Sequence, residues 1–420
     1  MLSHLLPVAA VVAVSNAAPA PASSSSSSGF AAIPLTWNYG SLPKITTNIV
    51  YGTPGQNSSV PTVFDTGSSA FWTAGPGNLA FYGSQYLGER GPCNETLTPY
   101  YDWTVSKSHS DPVETQPFQT FLYGGNAHVV YSYYSINDTV GFAQNGYPKI
   151  PNRKVAVSNE TILTTGQYNT CPSTGYPTDN SILGLDPEST FRAELLDDGI
   201  INSNTLSIWF DQPPEDPKGT FTGTALFGAL PPSDKYTGDL VTVESDWSSG
   251  SYYIATPAFK SRPLNASSSS AGTTVALDSE PTTCLVDTGS PNLELPIDLE
   301  SLQNITGLSN APYTSILAYN GSCESIPAGA TLDFEWDGVT ISLPYRNLVR
   351  GYLDGVEPGY CVLSLFAGES SCTLGSPFFS SAVIAFDDTA KKISLAQGGV
   401  STGAADGSGL DEVVPLGKGQ

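Results

Sequence analysis

Two short stretches carry the residues best suited to chemistry. Residues 63–72 read VFDTGSSAFW, and 222 positions after the first aspartate the chain repeats itself as LVDTGSPNLEL, residues 285–295. Each copy sets Asp-Thr-Gly-Ser between two apolar runs. One such corner is an ordinary strand-to-turn device. Two of them, at equivalent places in a repeated chain, could bring Asp65 and Asp287 together in one site. Two carboxylates that share a site cannot both ionise easily, so one pKa falls, the other rises, and the pair holds a single proton. The ionised member can then take a proton from water while the protonated member polarises a carbonyl, without a covalent intermediate. Gly67 and Gly289 permit close backbone approach, and the hydroxyls of Ser68 and Ser290 can hydrogen-bond the carboxylates.

Other chemistries have little to work with. The chain has 3 histidines, His4, His109 and His128, and none has metal-ligand spacing. No His-Glu-x-x-His or paired Cys-x-x-Cys occurs, which argues against zinc, and no glycine-rich phosphate loop is present. No metal and no cofactor is therefore expected. A Gly-x-Ser-x-Gly string, Gly399 to Gly403, lies in a low-complexity tail and reads as accidental.

A chain that positions two matching corners should itself be duplicated. Gly184, in Ile182-Leu183-Gly184, lies 119 residues after Asp65, and Gly375, in Thr373-Leu374-Gly375, lies 88 after Asp287. Cysteines keep the same rhythm: Cys93 and Cys171 fall between the first Asp and Gly, Cys323 and Cys361 between the second pair. This symmetry argues for Cys93–Cys171 and Cys323–Cys361 bridges. Cys284 and Cys372, each three residues before its Asp or Gly, could pair if their strands are neighbours.

The bulk composition fits such a scaffold. With 420 residues, 41 Gly, 33 Pro, 21 Tyr and many short Val/Ile/Thr/Phe-rich runs, the chain reads as mainly β and large enough for two domains. Its formal net charge of −23 argues against nucleic acid or an anionic membrane as partner, and suits an acidic medium in which carboxylates protonate. Residues 1–18 read as a signal peptide, with an apolar run from Leu5 to Val14, and residues 19–32 as a Ser/Pro-rich linker. Seven Asn-x-Ser/Thr sequons, at Asn57, Asn94, Asn137, Asn159, Asn265, Asn304 and Asn320, fit an exported glycoprotein. Residues 33–237 and 238–398 are read as two β-lobes, and 399–420 as a disordered tail.

Three stretches together resemble the pepsin-like aspartic proteases: YGTPGQNSSVPTVFDTGSSAFW at 51–72, ALFGALPPSDKYTGDL at 225–240 and TLGSPFFSSAVIAFDDTAKKISLA at 373–396. The resemblance covers roughly residues 35–398. It implies a bilobal fold of two pseudo-twofold-related β-lobes with a cleft between them. It implies Asp65 and Asp287 as a catalytic pair that activates one water to hydrolyse peptide bonds of polypeptide substrates at acid pH, in a secreted monomer. Thr66 and Thr288 would tie the two loops, Ser68 and Ser290 would support the carboxylates, and Trp72 would stand seven residues after the first Asp as in the family. A β-hairpin flap should cover the cleft, with Tyr123 as its tyrosine and Tyr131 as the alternative; the family's Tyr-Gly-x-Gly pattern is not kept here. The family's basic propeptide has no counterpart in the stretch of about 15 residues before Ile33, which holds no Lys or Arg. Two other readings compete: a catalytically inactive binding or inhibitor protein on the same scaffold, and a two-carboxylate glycosidase, which would not need a duplicated Asp-Thr-Gly.

Overall fold

The computed structural model describes residues 29–401 apart from 39–43, 57–58, 85–88, 124–127, 144–148, 165–178, 214–218, 263, 265–272, 276–282, 313–315 and 352–357. Strands dominate it and helices are few and short, in two β-lobes. The first lobe is built on a large sheet of fourteen strands; sheets of six, four and four strands make up most of the second.

The duplicated motifs become a duplicated strand arrangement. In the first lobe, Val60–Asp65 runs parallel to Ser181–Gly184, with Asp65 opposite Gly184. The strand Phe71–Ser84 returns antiparallel on the far side of Ser181–Gly184, with Phe71 opposite Leu183. In the second lobe, Thr283–Val286 runs parallel to Thr373–Leu374, and Leu293–Leu295 returns antiparallel with Leu293 opposite Leu374. Phe71 and Leu293 each lie six residues after their aspartate, so the two corners make the same excursion. Side chains such as Phe64, Leu183, Val286 and Leu374 are buried, which is why these segments read as continuous apolar runs rather than as an alternation.

The end of the chain returns to the first lobe. Ala382–Asp387 pairs with Thr205–Phe210, and Lys392–Gln397 pairs with Thr237–Val243. Beneath this junction Arg192, on the helix Thr190–Asp197, is fully buried. It pairs with Asp388 at 2.8 Å and donates to the Tyr252 hydroxyl and to the backbone carbonyls of Leu185 and Asn204. A buried cation with this many partners ties a helix of the first half to Tyr252 and Asp388 of the second.

Two boundaries differ from the sequence expectation. Pairing starts inside the expected linker: Gly29 bridges to Ile201, and Ala31–Asn38 lies along Thr220–Phe227 and buries Ala31, Ala32 and Ile33. At the other end Ser401 is buried, its hydroxyl donating to Asp211 and its carbonyl accepting from Gln212 N–H, so residues 399–401 belong to the fold. The rest of the expected tail lies outside the described residues, as do the expected signal peptide and most of the linker. Disulfides join Cys284 to Cys372 and Cys323 to Cys361. Cys93 is disulfide-bonded, and Cys171, named above as its partner, lies outside the described residues.

Candidate active site

Asp65 closes its strand, and Asp287 follows directly on its own, so both carboxylates emerge where the parallel pairs end. The main chain fixes them there: Leu185 N–H donates to Asp65 O at 2.7 Å, and Asp287 N–H donates to Leu374 O at 3.1 Å. The turns that follow are laced to each other across the pseudo-twofold axis. Thr66 N–H donates to Thr288 Oγ1 at 2.9 Å and Thr288 N–H to Thr66 Oγ1 at 3.0 Å. Each hydroxyl continues into the opposite strand, Thr66 Oγ1 donating to Val286 O at 2.9 Å and Thr288 Oγ1 to Phe64 O at 2.5 Å. Both threonines are buried, so these bonds are made away from water and hold the two loops in one register.

The glycines show how close the loops come. A Cβ added to Gly289 would stand 2.3 Å from Asp65 Oδ1, and one added to Gly67 would stand 2.5 Å from Asp287 Cγ. Each carboxyl therefore packs against the other loop's glycine, a place only hydrogen can fill. Asp65 accepts from Gly67 N–H at 2.9 Å and from Ser68 Oγ at 2.5 Å. Asp287 accepts from the N–H groups of Gly289 at 2.7 Å and Ser290 at 3.2 Å. Burial first, then the negative charge of Asp65 beside it, pushes the Asp287 carboxyl well above the usual carboxylate range.

One expected role is corrected. The Ser290 hydroxyl does not reach the Asp287 carboxylate; it lies 3.4 Å from Asn292 O as donor, and its backbone N–H supports the carboxylate instead. The reason is local: Pro291 sends the chain back towards Leu293–Leu295, and the hydroxyl closes that turn by bonding Asn292. The pseudo-symmetry is thus kept in the backbone and broken in the hydroxyls.

Trp72 and Tyr123 complete one wall. Trp72 is fully buried and its Nε1 donates to the Tyr123 hydroxyl at 2.9 Å, with the rings 6.3 Å apart. Tyr123 follows Val113–Leu122, which with His128–Phe142 forms an antiparallel hairpin, Leu122 opposite Val129. Tyr131 sits opposite Thr120 within that hairpin, whereas Tyr123 lines the cleft. Burial and the nearby Asp65 charge raise the Tyr123 hydroxyl pKa, so it remains a neutral donor.

The cleft has a volume of about 360 Å³ and is lined by both aspartates together with Lys44, Leu122, Tyr123, Asp179, Ile182, Glu294 and Thr373, among others. Lys44 and Asp179 form an ion pair of 2.5 Å on the first-lobe wall, each largely buried. Sequence reasoning missed Lys44, Asp179 and Glu294. Only Glu294 had a readable signal, as the polar centre of the alternating Leu-Glu-Leu.

Comparison with known proteins agrees with this geometry. A sequence model of the family described as eukaryotic aspartyl protease matches residues 44–398. A probable aspartic-type endopeptidase, opsB, of Aspergillus fumigatus is 25% identical over 83% of this chain and 67% of its own length. Barrierpepsin of Saccharomyces cerevisiae is 25% identical over 84% of this chain and 59% of its own length, and the aspartic proteinase yapsin-3 of the same yeast is 24% identical over 87% and 68%. The crystal structure of an aspartic proteinase from Irpex lacteus superposes with a TM-score of 0.57 at 18% identity, covering 90% of this chain and 99% of that one, a likeness of fold.

Proposed function

The chain belongs to the eukaryotic aspartyl protease family and is a peptidase; from that premise we propose that it is a secreted endopeptidase, active in acid, with Asp65 and Asp287 as its catalytic pair. The observation that carries this reading is the mutual packing of the two carboxyls, each against the other loop's glycine, at the floor of a cleft. Asp287, its pKa raised by burial and by Asp65, holds the shared proton and donates to the carbonyl oxygen of the scissile bond. Asp65 takes a proton from water as the water oxygen attacks the carbonyl carbon. The C–N bond then breaks as the leaving amine takes the proton from Asp65, and one hydroxyl proton of the tetrahedral intermediate returns to Asp287, which leaves a carboxylic acid and restores the single proton of the pair. No bond to the protein forms at any point. Thr66 and Thr288 keep the carboxyls in register, and Tyr123 closes the cleft from above, anchored by Trp72. Export is supported by the apolar leader and the sequons, of which Asn94, Asn304 and Asn320 are exposed. Among the described residues no helix is long and apolar enough to cross a membrane.

The test is an assay on an acid-denatured protein substrate between about pH 3 and pH 5, the range in which carboxylates titrate. Wild type should cleave and be blocked by a statine-type inhibitor, while Asp287→Asn should lose roughly 10³-fold or more of the rate. An inert wild type would overturn the reading and leave a binding protein on a protease scaffold, and a variant that cleaves equally well would show that Asp287 is not part of the catalytic machinery.

A further inference from the structure

The wall of the cleft opposite the Lys44–Asp179 pair carries a carboxylate that neither the fold nor the proposed chemistry uses. Glu294 is the middle residue of Leu293–Leu295. Its neighbours Leu293 and Leu295 are buried in the second lobe's core, so the two-residue period of the strand turns Glu294 the other way, into the cleft. One of its oxygens, Oε1, accepts from Ser371 Oγ at 2.8 Å, which aims the carboxylate. Among the described residues no lysine or arginine pairs with it. Lys44 is the one cation among the described residues lining the cleft, and it is committed to Asp179. With Lys44 and Asp179 paired to each other and the two aspartates packed together, Glu294 is the lining carboxylate that has no cationic partner among the described residues.

We propose that Glu294 is a specificity-determining residue that receives a lysine or arginine side chain of the polypeptide substrate close to the scissile bond. A substrate strand laid in the cleft presents alternate side chains to its walls. A cationic side chain reaching Glu294 would complete a charge-assisted hydrogen bond in a partly desolvated place, and an uncharged one of equal length would leave the carboxylate unpaired. The overall charge of −23 adds long-range attraction for basic substrates, but it is Glu294 that would fix the position of the basic residue. The proposal rests on the endopeptidase reading above.

The experiment uses the purified full chain and blocked octapeptides around one common scissile bond, with lysine or norleucine placed in turn at each position. Rates are compared at about pH 5.5, above the ordinary carboxylate range. Wild type should favour lysine over norleucine by roughly 10-fold or more in kcat/KM at one position, the size of a charged hydrogen bond. Glu294→Gln should bring that ratio to near unity, and Glu294→Lys should favour glutamate at the same position. If no position favours lysine, or if the ratio survives in Glu294→Gln, the assignment of Glu294 is wrong while the endopeptidase reading stands on the norleucine rates. If wild type cleaves neither series, the endopeptidase reading falls and this proposal with it.

Discussion

At the scale of single residues, the site depends on what is missing as much as on what is present. Gly289 has no side chain because the Asp65 carboxyl occupies its place. Gly289→Ala should therefore keep the fold, since the turn is at the rim of the core, but push the two carboxyls apart and lower kcat by roughly 100-fold or more. Circular dichroism and a steady-state assay on the same sample check this; an alanine variant with near-normal kcat would show that the packing of the pair is not needed. The two aspartates were legible in the sequence because Asp-Thr-Gly-Ser occurs twice at matching places. The fate of Ser290 was not, since its hydroxyl is drawn off by a turn whose closure depends on Pro291 and Asn292. Lys44 and Asp179 were invisible for another reason: their pairing spans 135 positions and follows no local period.

At the scale of elements, the hairpin Val113–Leu122 with His128–Phe142 forms the end of the large sheet that carries Tyr123 to the cleft. Its base is anchored by the buried Asp138, which accepts from the Tyr101 and Ser108 hydroxyls and from Thr139 N–H. Beyond it Val129 pairs with Ile162 and Tyr131 with Glu160 of the strand Ile150–Thr164, the Tyr123 hydroxyl accepts from Trp72 Nε1, and Leu122 beside it is 74% exposed. Tyr123→Phe removes the acceptor and leaves the buried indole N–H unpaired, at about 1–3 kcal/mol. The expected result is a fall of roughly 10-fold in kcat/KM together with a melting temperature lowered by a few degrees, measured on one peptide substrate and by calorimetry. Equal loss in Tyr131→Phe and none in Tyr123→Phe would contradict the placement of the flap tyrosine. The hairpin itself was expected only from the resemblance to the pepsin-like family, not from the local pattern of residues. Tyr123 was named ahead of Tyr131 from that resemblance alone, because register in a long hairpin is set by bulges such as those between Glu114 and Gln119 that leave no sequence mark.

At the scale of the whole molecule, charge and burial together predict a protein built for acid. Asp186 is pushed up to about 6, chiefly by burial and then by Glu188 and Asp65; Asp388 is pushed up to about 6 by burial, despite Arg192 beside it. Both groups bind protons more tightly folded than unfolded, where the ordinary value is 3.8. Between about pH 4 and pH 6 the native state therefore holds more protons, and stability must fall as pH rises through that window. With the self-repulsion of a net charge of −23 added, the melting temperature should be highest near pH 4 or below and drop steadily towards neutrality, in a calorimetric series at constant ionic strength. A melting temperature that rises from pH 4 to pH 7 would contradict it. The bilobal plan behind this was legible in the spacing of the two Asp-Thr-Gly and two Leu-Gly units. The return of Ala382–Gln397 to the first lobe and the Arg192 junction were not, because they join segments far apart in the chain by burial alone. The central claim, that Asp65 and Asp287 act as one proton-sharing pair, is tested most directly by the pH dependence of kcat/KM for a peptide with no titrating side chain, taken from initial rates while the folded fraction is monitored. The account predicts activity confined to acid and lost as Asp287 gives up its proton, with Asp287→Asn nearly inactive throughout. Undiminished cleavage up to about pH 8, or a variant that keeps the wild-type profile, would contradict it.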